Sequence, residues 1–207
     1  MADNSKTEQL KRIRDEVLEL TSSPLYEFRK QEGYFPVIGQ GNHDAAIMFI
    51  GEAPGRNEAL TGKPFCGAAG NILDELLLSI QIQRDSVYIT NIVKDRPPKN
   101  RDPLPQELEA YAPFLTRQIE IIQPSIIATL GRFSMTYLME HYHLHDEIQA
   151  ISALHGHVFS LSSSQKPYYL IPLYHPAAAI YNRSLLDTLK KDFTTLADIY
   201  ASLPQER

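Results

Sequence analysis

Apolar residues along this chain keep two alternating rhythms, and the alternation predicts the fold. Leu10, Ile13, Val17 and Leu18 fall at helical spacing among mixed charges, which predicts a helix over about residues 6–20. Ser22-Ser23-Pro24 should end it, because proline drives the residue before it out of the α region. An irregular stretch through Gly33, Pro36, Gly39 and Gly41 follows. Ala45 to Ile50 then form an unbroken apolar run that halts at Gly51. Such a run, without alternation, suits a strand covered on both faces.

The rhythm repeats. A helix over about residues 69–80 leads to a strand over 86–93, and a proline-rich loop from Arg96 to Pro105 leads to a helix over 106–122. A strand over 125–130 precedes a helix over 133–141. After a polar stretch, a strand over 168–173 breaks at His175-Pro176, and an amphipathic helix follows over 184–203. Strands alternating with helices predict the α/β class: a three-layer α/β/α sandwich with a central, four-stranded, mostly parallel sheet. No internal repeat, linker-like composition shift or low-complexity tract interrupts it, so a single domain over residues 1–207 is expected.

In a parallel sheet, ligands gather outside the carboxyl ends of the strands, where loops from distant parts of the chain converge. Three such ends carry conspicuous chemistry. The first begins at Gly51-Glu52-Ala53-Pro54-Gly55, and its glycines at 51, 55, 62, 67 and 70 allow tight turns and close approach of backbone to a ligand. It lacks both the Gly-Lys-Ser/Thr ending of a phosphate-binding Walker loop and the G-x-G-x-x-G dinucleotide spacing. Phe65 is its odd member, a large aromatic among small residues, suited to stacking on a planar ligand or to plain core packing.

The second end is Asn91. An asparagine offers an acceptor and a donor together, a pair that matches the N3–H and O4 edge of uracil and mismatches cytosine; capping its own loop is the competing use. Lys94, Arg96, Lys99 and Arg101 follow, stiffened by Pro97 and Pro98, as an edge that tracks phosphates or as a plain solvated loop. The third end is His175-Pro176, where an imidazole at a strand terminus is placed to donate to a developing anion. Ala178, Ala179 and Ile180 beyond it form a small apolar wedge of the kind that enters a base stack.

Composition narrows the function classes. Lys and Arg number 20 against 25 Asp and Glu, a formal charge of −5, which excludes a histone-like polycation but leaves room for a local basic rim that includes Arg183. No apolar run approaches the roughly 18–20 residues that span a bilayer, and MADNSKTEQ contains no signal-peptide core. A cytoplasmic protein with no membrane partner is therefore expected. Cys66 is the sole cysteine, which excludes an intrachain disulfide, a four-cysteine zinc site and an all-cysteine iron–sulfur cluster. His141, His143 and His145, with His155 and His157 beyond, invite a metal reading. They fall at a helix C-terminus, which favours histidine electrostatically, and no acidic cluster accompanies them. Neither a metal nor a cofactor is expected.

Four blocks in register, GEAPG…TGKPFCGAAG, YITNIVKDRPPKNRDPLPQE, IIQPSIIATLG and LYHPAAAIYNR, closely resemble the family 4 uracil-DNA glycosylases from about Pro24 to the last helix. The resemblance implies an α/β/α sandwich around a four-stranded parallel sheet. It also implies hydrolysis of the N-glycosidic bond of deoxyuridine in DNA, which initiates base excision repair and releases free uracil. By the same resemblance Phe65 stacks on uracil, Asn91 reads it, His175 stands next to uracil O2 and Glu52 is the acidic residue of the pocket. Ala53 would contribute a backbone N–H, and Glu58 a side chain near uracil C5 that excludes the methyl group of thymine. The expected DNA contacts are Lys94, Arg96, Lys99, Arg101, Ala179, Ile180 and Arg183, with an affinity that falls steeply with salt. The target nucleotide must rotate out of its stack before chemistry, and one pocket suffices for that, so a monomer is expected. With DNA as partner, the resemblance also implies a protein that is nucleoid-associated when bound to DNA.

The departure is in the cysteines. Members of this family usually hold a 4Fe–4S cluster on four cysteines, and the corresponding positions here are Leu20, Ser23, Asp95 and, by spacing, Tyr111. The cluster is excluded, and direct packing among Leu20, Leu25, Tyr111 and their neighbours is the expected replacement. Cys66 is expected to serve as a small apolar residue of the pocket loop. Two alternatives stay open: a glycosylase for another deaminated base such as hypoxanthine or xanthine, and a non-catalytic DNA binder that kept the pocket. Covalent trapping of DNA through a loop histidine is set aside, because residues 94–105 contain none.

Overall fold

Side chains on successive strand residues face opposite ways, and in the computed structural model this two-sidedness organises the whole chain. The structure describes residues 5–161 and 168–204; the start of the MADNSKTEQ segment and the last six residues of the polar stretch before Tyr168 lie outside them. The strands are β1 (Gln40–Gly41), β2 (Ile47–Gly51), β3 (Tyr88–Asn91), β4 (Ile126–Leu130), β5 (Phe159–Leu161) and β6 (Tyr168–Leu173). On β2, Met48 and Ile50 enter one apolar core, while Ile47 and Phe49 enter a second. The unbroken run in the sequence is thus a strand covered on both faces.

The helices are α1 (Lys6–Leu18), α2 (Tyr26–Glu32), α3 (Arg56–Thr61), α4 (Ala68–Ser79), α5 (Pro105–Ile122), α6 (Arg132–His141), α7 (Ile151–Leu154), α8 (Ala178–Tyr181) and α9 (Ser184–Ser202). Leu10, Ile13 and Val17 of α1, Tyr111 and Leu115 of α5 and Leu138 of α6 fill the first core. Leu73 and Leu76 of α4 and Leu189, Phe193 and Leu196 of α9 fill the other. Helices therefore cover both faces of the sheet, as the sequence predicts.

The strands β3, β2, β4 and β6 pair in parallel and are the four predicted from apolar runs. Two short antiparallel strands flank them, so the sheet has six strands in the order β1-β3-β2-β4-β6-β5 rather than four. Neither edge strand carries an apolar run: β1 is Gln-Gly, and β5 is three residues with a central serine. Four helices also fall where the sequence predicts none. Arg29, Ala59, Leu154 and Ala179 are the single buried residues of α2, α3, α7 and α8, so none of the four shows an apolar period. The first helix stops at Leu18, ahead of the Ser22-Ser23-Pro24 signal.

The positions matched to cluster cysteines hold a polar tie. Tyr111 Oη donates to Asp95 Oδ2 at 2.6 Å, so the 2.8 Å contact between Ser23 Oγ and Tyr111 Oη has the serine as donor. Arg29 Nη1 donates to both Asp95 oxygens, at 3.2 and 3.0 Å, and to the Val17 carbonyl at 3.1 Å; Nη2 donates to the Leu18 carbonyl at 2.7 Å. All four side chains are buried. These residues do not fit an iron–sulfur cluster: none is a thiolate, and the Tyr111 phenol closes the space between its partners. The expected direct packing is present, and a polar link accompanies it. Leu25 and Tyr111 share the first core and Leu20 packs against it, but the link that joins α1, α2, α5 and the loop after β3 is polar. A phenol and a carboxylate buried together must pair, and Arg29 completes the pairing from a helix with no apolar pattern to reveal it.

Arg29→Met leaves the Asp95 carboxylate buried without its counter-ion and is expected to cost about 3–5 kcal/mol. Tyr111→Phe, which keeps the ring and removes two hydrogen bonds, is expected to cost about 1–3 kcal/mol, and Tyr111→Ala more. Urea unfolding followed by circular dichroism checks all three, and a stability unchanged in Arg29→Met would dismiss the tie.

Candidate active site

The carboxyl ends of β2, β3 and β6 open on one cavity of about 460 Å³. Glu52, Ala53, Glu58 and Phe65 line it from the first loop, Asn91 from the second strand end and His175 from the third. The loop after β3 adds Pro97, Asn100, Arg101 and Asp102. Residues spread over more than a hundred positions of sequence thus face a single space.

Asn91 stands opposite Gly51 in the parallel register. A Cβ on Gly51 would lie 2.3 Å from Asn91 Oδ1 and 3.0 Å from the Phe65 ring, so only a glycine lets amide and aromatic close over the strand end. Asn91 is 2% exposed, yet its side chain makes no hydrogen bond among the described residues. Neither amide atom is sealed off, so both are open to a partner that enters the cavity.

Phe65 is held under strain. Its φ of 47° is left-handed, a conformation worth roughly 1–3 kcal/mol of cost for a bulky residue. Gly70 makes room, since a Cβ there would sit 1.8 Å from the Phe65 carbonyl oxygen. Arg84 Nη2 donates to the Pro64 and Phe65 carbonyls at 2.8 and 3.1 Å, while its Nη1 is anchored on Asp74 at 2.6 Å. The ring ends 5.6 Å from that of His175, tilted by 30°. His175 Nδ1 accepts from the Ala177 N–H at 3.1 Å, which leaves the proton of the neutral ring on Nε2. Burial pushes its pKa down to about 4, so at neutral pH it is an uncharged donor.

The carboxylates differ in kind. Burial, and then the negative charge of Asp102, push Glu52 up to about 7, with Arg132 opposing. Asp102 itself accepts from Arg132 Nη2 at 3.0 Å. Glu58 Oε1 accepts from the Cys66 and Gly67 N–H groups, each at 3.0 Å, and so fastens α3 to the start of α4 while lining the cavity.

Compared with known families, residues 38–202 match the uracil DNA glycosylase superfamily. The chain belongs to that superfamily. Among curated relatives, the "Type-4 uracil-DNA glycosylase" of Saccharolobus solfataricus is 44% identical over 193 residues, 93% of this chain and 87% of the relative. Relatives of the same name from Archaeoglobus fulgidus and Thermotoga maritima are 44% identical over 163 residues and 37% over 180. They cover 79% and 87% of this chain, and 81% and 88% of their own lengths.

The cations expected to face DNA are not all placed as the sequence suggests. Lys94 is fully buried, with Nζ bonded to Thr90, Asn91 and Gln118, and cannot reach DNA. Arg101 is locked to Glu107 by two bonds of 2.8 and 2.6 Å. Arg96 donates to Asn100 and to the Tyr34 hydroxyl and lies over the Tyr34 ring. Lys99 and Arg183 are exposed. The wedge also needs correction: Ala179 is buried in the second core, whereas Ile180 is 46% and Tyr181 90% exposed. Tyr181 was missed because a helical turn, not an extended loop, carries it outward. Asp102 was missed as an acid within a basic stretch. Cys66 is exposed beside Thr61 rather than packed as a small apolar residue.

The Glu52 carboxyl is expected to titrate near pH 7 by carbon-13 NMR, and Asp102→Asn should move its midpoint acidward by removing the opposing charge. A Glu52 midpoint at the ordinary 4.5 in the unmodified protein would refute this electrostatic picture.

Proposed function

We propose that the protein excises uracil from DNA: the deoxyuridine base rotates into the cavity, its N-glycosidic bond is hydrolysed, and free uracil leaves behind an abasic site for base excision repair. The observation that carries this reading is the Asn91 amide, 2% exposed and unpaired within the cavity among the described residues. An acceptor beside two donors, held on a strand end, suits the N3–H and O4 edge of uracil. The names of relatives at 35–44% identity support the same chemistry.

Phe65 stacks on the flipped base and fixes its plane. As the C1′–N1 bond lengthens, the sugar becomes cationic and the base anionic, with charge on O2. His175 donates its Nε2–H to O2, joined by the backbone N–H of Ala53, and a neutral donor does this without first surrendering a proton. Water attacks C1′ and passes its proton to the Glu52 carboxylate; the departing uracil anion is protonated by solvent. Glu58, pinned on two backbone N–H groups, presents a fixed wall toward C5 that rejects a methyl group. Lys99 and Arg183 hold phosphates while Ile180 and Tyr181 fill the gap left in the stack. With one complete pocket per chain, a monomer is the working unit, and DNA as substrate implies a cytoplasmic enzyme associated with the nucleoid. Salt should weaken binding with a shallower slope than four free loop cations would give.

Oligonucleotides carrying one uracil or one hypoxanthine, treated with protein and then alkali, test the reading. Uracil strands are expected to break and hypoxanthine strands to persist. His175→Ala should slow turnover by about 10²–10³-fold with little change in DNA affinity. Asn91→Asp should narrow the preference for uracil over cytosine. Turnover unchanged in His175→Ala would remove the mechanism.

A further inference from the structure

Lys94 leaves the DNA edge for the interior and spends all three of its N–H donors there. Nζ lies 2.6 Å from the Asn91 carbonyl, 2.6 Å from Gln118 Oε1 and 2.9 Å from Thr90 Oγ1. None of these acceptors is a carboxylate, so the cation is held by dipoles alone. Each neighbour is fixed in turn: Gln118 Nε2 donates to the Ile38 carbonyl at 2.8 Å, and Thr90 Oγ1 donates to that same carbonyl at 2.7 Å.

The sheet explains why a lysine is needed at this point. Ile92 N–H donates to Gly51 on the β2 side, so the Asn91 carbonyl points to the opposite side. There the edge strand β1 pairs with Tyr88 and Ile89 and then ends. Lys94 supplies the donor that the edge strand does not. Burial without a counter-ion pushes its pKa well below that of an ordinary lysine, a cost that a merely space-filling residue would avoid.

We propose that Lys94 is a positioning residue for uracil recognition, clamping the Asn91 carbonyl from beyond the strand end so that the amide of the same residue is held in the cavity. The proposal rests on the reading of Asn91 as the group that contacts uracil. Lys94 touches neither base nor phosphate and acts through Asn91 alone, with Gln118 as the second member of the clamp.

Single-turnover excision and inhibition by free uracil, measured on the full chain, test it in a double-mutant cycle. Lys94→Met is expected to slow excision about 10–100-fold and to weaken inhibition by free uracil about tenfold, with oligonucleotide affinity and its salt slope unchanged. In an Asn91→Ala background, Lys94→Met should cost less than about twofold more, because the residue it acts through is gone. Gln118→Met, which removes one acceptor and leaves the lysine in place, should give the same pattern and serves if Lys94→Met fails to fold by thermal unfolding. A loss that is undiminished in the Asn91→Ala background, full activity in folded Lys94→Met or Gln118→Met, or a flattened salt slope would each overturn the proposal. Asn91→Ala excising uracil at the unmodified rate would instead overturn the reading of Asn91, a result distinct from any of these.

Discussion

Parallel pairing of Gly51 with Asn91 sets the position of everything else in the site. Side chains alternate along a strand, so a slip of one residue in this register would turn the Asn91 amide to the opposite face. The missing Cβ at Gly51 then decides what can gather over that pair: the amide, and the edge of Phe65. Phe65 reaches the place in a left-handed conformation that Gly70 and Arg84 together sustain, and its ring in turn borders His175. A backbone register, two absent methyl groups and one guanidinium are thus enough to bring three distant segments to one cavity.

The loop that leaves this pair is secured by polar contacts on both sides. Lys94 and Asp95 are consecutive, and each enters a different buried network, the first with Thr90 and Gln118, the second with Arg29, Tyr111 and Ser23. Both networks end on α5, through Gln118 and Tyr111 respectively. The helix therefore acts as a common brace for the strand end and for the start of the loop carrying Arg96 to Asp102. This chain makes the brace from hydrogen bonds in a dry environment, each strong because its partners have no water to turn to.

Most of the architecture was legible in the sequence because it follows from apolar periodicity. The four parallel strands and the helices α1, α4, α5, α6 and α9 each bury several apolar residues and so announce themselves. The elements that escaped are those whose reason for existing is not apolar burial: α2 exists to present Arg29, and β1 and β5 only finish the sheet edges. The same limit governs the site. Asn91 and His175 stand out as unusual residue types at strand ends, and Phe65 as a large aromatic among the small residues of a loop. Whether a lysine in a basic loop faces solvent or the interior is decided by acceptors that arrive from other segments, and local composition carries no trace of Thr90 and Gln118 closing on Lys94.

Charge in the cavity follows from the same segregation. Two of the titratable groups that line the cavity are kept from full ionisation by their surroundings. Burial leaves His175 uncharged, and burial with Asp102 keeps Glu52 divided between its two forms near neutral pH. On the reading proposed above, a charge developing on uracil O2 meets the Nε2–H of His175, an uncharged donor. Because Asp102 belongs to the loop braced by α5, the acid–base behaviour of Glu52 is coupled to the footing of that loop. A change in the Asp95 or Lys94 network that shifts Asp102 should alter the protonation of Glu52 without touching it, joining the buried ties to the chemistry through electrostatics rather than contact.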